Sequence, residues 1–289
     1  MKAKQDLKKG AFYQVTSWFF FAVMYLLSKL IAEDTSLSVR LLFRGMIGMA
    51  ATLPWILRHG IKSLRIDSYG WMTARALSTT INIALIFFAV ETISLVDTTL
   101  LTSSAPFFVP FLAWALLHKR ISRFLWIPMT VGFIGVIFIL KPSSHIFQLG
   151  ALLALVSGVF NAFSSVATRE IGKTIPYHTV LFYIFLVAFV SIIPFAYFNW
   201  EVKSAEVYLP LILIGLSTFI AQIFYYKSFE HGEASHIAPF GYSCVIFSGI
   251  FDWIFFHEIP DLYSVIGMIL VIASGLWILK RCRIADKTF

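Results

Sequence analysis

Ten apolar stretches, each close to the ~20 residues that cross a bilayer as a helix, fill this chain almost end to end, and their order repeats after five. They cover residues 11–32, 37–57, 70–90, 94–117, 122–140, 148–169, 177–198, 207–229, 234–256 and 261–280. No aqueous fold of 289 residues buries side chains that are 59% hydrophobic and only 13% charged, so the solvent is lipid. The connections leave no room for a soluble domain. The expected fold is an all-α polytopic membrane protein of ten transmembrane helices. With an odd number of spans in each repeat, the second half enters the membrane from the other side. The chain then forms two inverted five-helix repeats, 1–142 and 143–289, joined near the polar link Lys141-Pro142-Ser143-Ser144.

Charge placement supports a retained first span. Lys2, Lys4, Lys8 and Lys9 precede an apolar run that is too long for a secretory signal, and no small-residue cleavage site follows it. If the N-terminus is cytoplasmic, seventeen Lys and Arg residues fall inside: at the N-terminus, around Arg58, Arg120, Arg169 and Lys227, and in the tail. The four outside are Lys29, Arg40, Lys141 and Lys203. That bias places both termini in the cytoplasm, and a bacterial inner (plasma) membrane is the plain reading. The net charge of +8 is spread over the ends of many spans, which argues against a nucleic-acid binder. Cys244 and Cys282 lie in the ninth stretch and the tail and imply no disulfide framework.

The internal repeat has a register. Shifting the chain by 140 residues sets Gly10 on Gly150, Ser17 on Ser157, Phe20 on Phe160 and Lys29 on Arg169. Shifting it by 139 sets Ser104 on Ser243, Phe108 on Phe247, Trp114 on Trp253, His118 on His257 and Met129 on Met268. The Trp, His and basic pairs carry the most weight, because matches among Phe, Leu and Ile are expected in apolar sequence. Lys29 belongs outside and Arg169 inside, and His118 and His257 are likewise opposed, as inversion requires.

Particular motifs then look familiar. The run from Ser103 to Trp114, with Gly132-Phe133-Ile134-Gly135-Val136, resembles the fourth and fifth helices of the EamA-like branch of the drug/metabolite transporter superfamily. Ala238-Pro239-Phe240-Gly241-Tyr242 looks like the start of its ninth helix. Phe256-His257-Glu258-Ile259-Pro260-Asp261 looks like its aromatic-Gly-Glu-x-Pro-Asp turn, and Ile266-Gly267 with Ser274-Gly275-Leu276 like its tenth helix. The chain departs from the pattern at His118-Lys119, where Gly-Glu is common, at His257 in place of Gly, and at Asp252 in place of a small residue. The resemblance implies a central cavity lined by helices one, three, four, six, eight and nine, with alternating access. It also implies substrates such as amino acids, riboflavin, S-adenosylmethionine or cationic drugs. The wording of the ninth and tenth helices is most similar to the branch of S-adenosylmethionine-type carriers.

Helical spacing gathers candidate binding residues onto single faces. Ser17, Trp18, Phe21 and Tyr25 form a stripe on the first span, and Ser157, Asn161, Ser164 and Ser165 form one on the sixth. Gln222, Tyr225 and Tyr226 cluster on the eighth, and Pro239, Tyr242, Ser243 and Phe247 on the ninth. Asn82 lies in the third, with Ser103, Ser104 and Phe107 in the fourth. Polar groups avoid lipid, so these should face protein or a wet cavity. Any one Ser is better explained by helix–helix bridging, worth roughly 0.6–2 kcal/mol, whereas the aromatic and amide set taken together points to substrate contact. Aromatic walls suit a flat or cationic solute. Pro106, Pro110 and Pro239 interrupt cavity helices, as static kinks or as gating bends. Among intramembrane charges, Asp252 is a candidate for a cationic solute or a proton, or else a structural ion pair. Arg44 and Arg75 could fix a carboxylate, but both lie near span ends, where structural anchoring is the stronger expectation, and Glu258 is expected to cap the tenth helix.

The leading functional reading is a secondary transporter of a small organic metabolite, with no cofactor, working by alternating access as a monomer or homodimer. Its partners would be the solute and the lipid bilayer. The alternatives are a membrane-embedded enzyme and a non-transporting receptor or assembly protein. No His-Glu-x-x-His or Gly-x-Ser-x-Gly motif supports the first, and the loops are short for the second.

Overall fold

A computed structural model describes residues 7–66, 69–118, 126–140, 149–171, 175–231 and 238–286. The expected link at 141–144 and Lys119 lie outside the described residues. In chain order the helices are α1 (Leu7–Leu30), α2 (Leu37–His59), α3 (Tyr69–Thr92), α4 (Leu95–Thr102), α5 (Ala105–Leu117), α6 (Trp126–Leu140), α7 (Leu149–Ile171), α8 (Tyr177–Phe198), α9 (Tyr208–His231), α10 (Ser243–Phe251) and α11 (Leu262–Asp286). A 3-10 turn, Ala238–Tyr242, precedes α10, and a π-helical turn, Asp252–Phe256, follows it.

Seven helical segments among the described residues are long and apolar enough to cross a membrane, by length and composition: Lys8–Leu30, Leu37–His59, Tyr69–Thr92, Leu95–Leu116, Leu149–Thr168, Tyr177–Phe198 and Ala205–His231. Trp126–Phe138, Phe240–Phe256 and Leu262–Trp277 are shorter apolar helices.

The fourth apolar stretch is broken, and its sequence explains why. Pro106 has no N–H to close a turn back onto Thr102, so one helix ends there and another restarts with proline in its first turn. Two serines occupy the break. The Ser103 hydroxyl donates to the Thr99 carbonyl and the Ser104 hydroxyl to that of Leu101, each at 2.6 Å. The ninth stretch has its own irregular entry in the 3-10 turn that holds Pro239 and Gly241.

The main helix partnerships are kept when the halves are exchanged. The main partners are α1 with α9 and α3 with α7, which swap under the exchange, and α2 with α8 and α6 with α11, which map onto themselves. The contacts of α2 with α9 and of α3 with α8 also swap. His118 and His257, matched by the 139-residue shift, are the two non-glycine residues with positive φ among those described, at 53° and 56°.

Small residues set the closest approaches. A β-carbon on Gly45 of α2 would lie 2.8 Å from the Phe189 backbone nitrogen of α8. One on Gly135 of α6 would lie 2.8 Å from Leu270 Cβ of α11. Hydroxyls bridge other pairs: Ser17 donates to the Ala221 carbonyl at 2.8 Å, Ser228 to Gln14 Oε1 at 2.7 Å, and Thr79 meets Ser164 at 3.0 Å.

The α2–α8 pair is tied at both ends. At one end Thr35 and Val202 form an antiparallel bridge, with Ser36 N–H donating to Glu201 and Lys203 N–H to Asp34. At the other, Thr179 Oγ1 donates to the Ser63 carbonyl at 3.0 Å and the Tyr183 hydroxyl to that of Leu64 at 2.9 Å.

Candidate functional site

The stripe on α1 meets the aromatic cluster on α9. Trp18 lies 5.3 Å from the Phe21 ring and 6.5 Å edge-on from Tyr225. Tyr225 touches Tyr226 and Phe229, with centroids at 5.8 and 4.9 Å. Arg75 of α3 donates to the Tyr226 hydroxyl and lies over that ring at 5.3 Å. The indole N–H of Trp18 is buried without a hydrogen-bond partner, and a β-carbon on Gly241 would lie 3.3 Å from it. The irregular entry to α10 therefore brings bare backbone against the indole. Trp18, Phe21, Tyr225 and Tyr226 form one group, and Arg75 is anchored to it.

Other expected residues are dispersed. Asn82 is buried in α3 with Oδ1 unpartnered, and Gln222 is buried on α9. Ser104 packs on Gly158 of α7. Phe107 is fully buried against Phe133 of α6, 6.0 Å away, in a separate apolar cluster with Met129 and Val136. Half-buried Asn161 accepts, through its carbonyl, a 2.9 Å bond from Ser165, which is exposed. Tyr242 extends toward Gly275 of α11, with its hydroxyl unpartnered. Ser243 bonds the local Phe240 carbonyl at 2.7 Å. Pro106 starts α5 and Pro239 lies in the 3-10 turn.

Asp252 sits where the π-helical turn meets α4, with 1% of its surface exposed. Its carboxylate accepts from the backbone N–H groups of Leu95 at 3.1 Å and Val96 at 2.8 Å, so it caps α4 from another helix. Lys29, at the end of α1, completes the arrangement. Its Nζ lies 3.8 Å from Asp252, 3.6 Å from Glu258, 3.4 Å from the Ile93 carbonyl and 4.3 Å above the Phe256 ring. One ammonium thus joins α1 to the α3–α4 connection and to the α10–α11 connection. Nearby, Arg40 of α2 donates to the Ser28 carbonyl and hydroxyl, both at 2.9 Å, and to the Glu91 carboxylate of α3. A polar cavity of about 410 Å3 lies beside these groups, lined in part by Lys29, Glu91, Asp97, Asp252, Glu258 and Ser264.

Two expectations are corrected. Glu258 does not cap α11. That role falls to Asp261, whose carboxylate accepts from Ser264 N–H at 3.1 Å, because the helix starts only at Leu262. Arg44 is no end anchor either: it is the eighth residue of α2 and fully buried. Sequence reasoning missed Lys29, Arg40 and Glu91 as a network. The one signal in sequence was the pairing of Lys29 with Arg169 across the repeat.

Comparison with known proteins agrees with this arrangement. The EamA-like transporter family matches the chain twice, at residues 8–141 and 148–280. A pseudopaline exporter of Pseudomonas aeruginosa is 27% identical over 93% of this chain and 95% of its own. A riboflavin transporter of Vibrio cholerae is 24% identical over 96% and 95%. An S-adenosylmethionine uptake transporter of Rickettsia felis is 27% identical over 82% and 81%. A crystal structure superposes with a TM-score of 0.60 at 18% identity, covering 92% of this chain and 97% of that one, which speaks to the fold alone.

Proposed function

The chain belongs to the EamA-like transporter family, and from that premise we propose that it is a secondary carrier that moves a small organic metabolite by alternating access. It is an integral membrane protein. The observation that carries the mechanism is the packing pattern: exchanging the halves leaves every main helix partnership in place. Such a molecule has two equivalent ways to close, one at each end. The three shorter apolar helices bring the spans to ten, in inverted repeats 1–142 and 143–289. Both termini then face the cytoplasm, in a bacterial inner membrane, with the Lys29 end outside.

In this reading Lys29, Asp252 and Glu258, with Arg40 and Glu91, hold the outer end shut. The aromatic group Trp18, Phe21, Tyr225 and Tyr226 forms the wall of the solute path. The relatives named for pseudopaline, riboflavin and S-adenosylmethionine support an organic metabolite with a flat or charged group. An edge-on aromatic array can hold such a group.

Flux in proteoliposomes tests the proposal, with riboflavin, amino acids and S-adenosylmethionine as solutes. Tyr225→Ala is expected to lower the flux of a transported solute by about tenfold or more while the protein still melts cooperatively, because Tyr225 is half-buried and its loss leaves the α1–α9 hydroxyl bridges intact. Unchanged flux in that variant removes the aromatic wall from the proposal. No flux of any solute in the wild type removes the carrier.

A further inference from the structure

Among the described residues, one buried arginine has no polar partner. Arg44 sits about 10 Å along α2 from Leu37, and none of its surface is exposed. Its Nε, Nη1 and Nη2 have no hydrogen-bond partner, and no ion pair includes it among the described residues. The other two buried arginines differ: Arg40 bonds Ser28 and Glu91, and Arg75 bonds Tyr226. Arg44 has the Phe185 ring of α8, 5.8 Å from its central carbon, and Tyr25 of α1 within electrostatic reach. A ring face offsets little of the cost of removing a guanidinium from water. A membrane protein that keeps such a group gains from it elsewhere.

Its position suggests how. Tyr25 ends the α1 stripe that begins at Trp18, about 10 Å away along the helix axis. At the Trp18 end stand Tyr225 and Tyr226; at the Tyr25 end stands Arg44. Resting on the carrier reading, we propose that Arg44 binds a carboxylate of the transported solute. The planar guanidinium offers five N–H donors in a fork that matches a carboxylate in two parallel bonds. A solute laid along α1 places its ring or cationic group against Trp18 and Tyr225 and its carboxylate at Arg44. Its binding neutralises the one fully buried arginine, among the described residues, whose nitrogens all lack a partner.

The test uses the full-length protein in proteoliposomes for counterflow and in detergent for melting. The probes are L-phenylalanine, L-tryptophan, L-methionine and L-lysine, their carboxamides, and riboflavin as a carboxylate-free solute. In the wild type, acids should be moved at least about tenfold better than their amides, the margin of a lost charge-assisted bidentate contact. Arg44→Gln should abolish that preference without lowering the melting temperature of the solute-free protein, and Arg44→Lys, which keeps the charge and loses the fork, should reduce it. An acid preference that survives in Arg44→Gln, or in Arg44→Lys if the first variant does not fold, overturns the assignment. So does a lower melting temperature with the preference intact, the mark of a structural role. Wild-type flux confined to amides or riboflavin overturns the carboxylate while leaving the carrier standing. Absence of all flux in the wild type fails the carrier reading and this proposal with it.

Discussion

His257 ends the π-helical turn and His118 ends α5, both in the left-handed region and both exposed. A residue with a β-carbon is strained there, whereas glycine is not. In the family pattern these places commonly hold glycine, and the backbone supplies the reason. His257→Gly is therefore expected to stabilise the protein by about 1 kcal/mol in detergent melting, and His118→Gly by a similar amount. A drop in stability would mean that the imidazole makes a contact outweighing the strain. Sequence spacing located Trp18, Phe21, Tyr225 and Tyr226 because residues three or four apart share a helix face and aromatic side chains are large enough to meet across it. Spacing could not place Arg44, whose burial depends on Phe185 of a helix in the other half of the chain. Nor could it assign Asp252, whose partners Leu95 and Val96 come from another helix.

Helices in this bundle approach as closely as their glycines allow. Gly45 faces the α8 backbone itself, which cannot move aside as a flexible side chain can. Gly45→Ala should push α2 from α8 and cost about 1–3 kcal/mol, read as a lower melting temperature. Unaltered melting would show that the two helices slide apart freely. The existence of these helices was legible from apolar length alone. Their interruptions were legible only in part: Pro106 announced a kink, but the complete break at Ser103 and Ser104 also needed hydroxyls to satisfy the carbonyls of Thr99 and Leu101. The cap of α11, though not its start, was misassigned for a related reason. Two acids, Glu258 and Asp261, flank Pro260, and the sequence does not say which one Lys29 draws away.

Across the whole molecule, the symmetry of packing predicts how the outer end opens. Lys29 is 12% exposed and Asp252 is 1% exposed, so their attraction is poorly screened by solvent. Lys29→Met should shift the population toward the outward-open form, about fivefold for a loss of ~1 kcal/mol of closure. A cysteine in place of Ile93, which lines the polar cavity, reports this with a membrane-impermeant maleimide in a Cys244→Ser, Cys282→Ser background. Slower labelling in Lys29→Met than in its parent would count against a latch. The repeat that underlies this prediction was visible in the sequence as matched Trp, His and basic residues. The latch was not, because it joins the ends of four separate segments.

Because α2 and α8 are laced together at both of their ends, one from each half, neither end of that pair can swing away from the other. The bridge of Thr35 with Val202 and the bonds from Thr179 and Tyr183 act like hinge pins on a common post. Any tilting of one half against the other pivots on this fulcrum, so the widest excursions belong to helices that do not pack on it, among them α6 and α11.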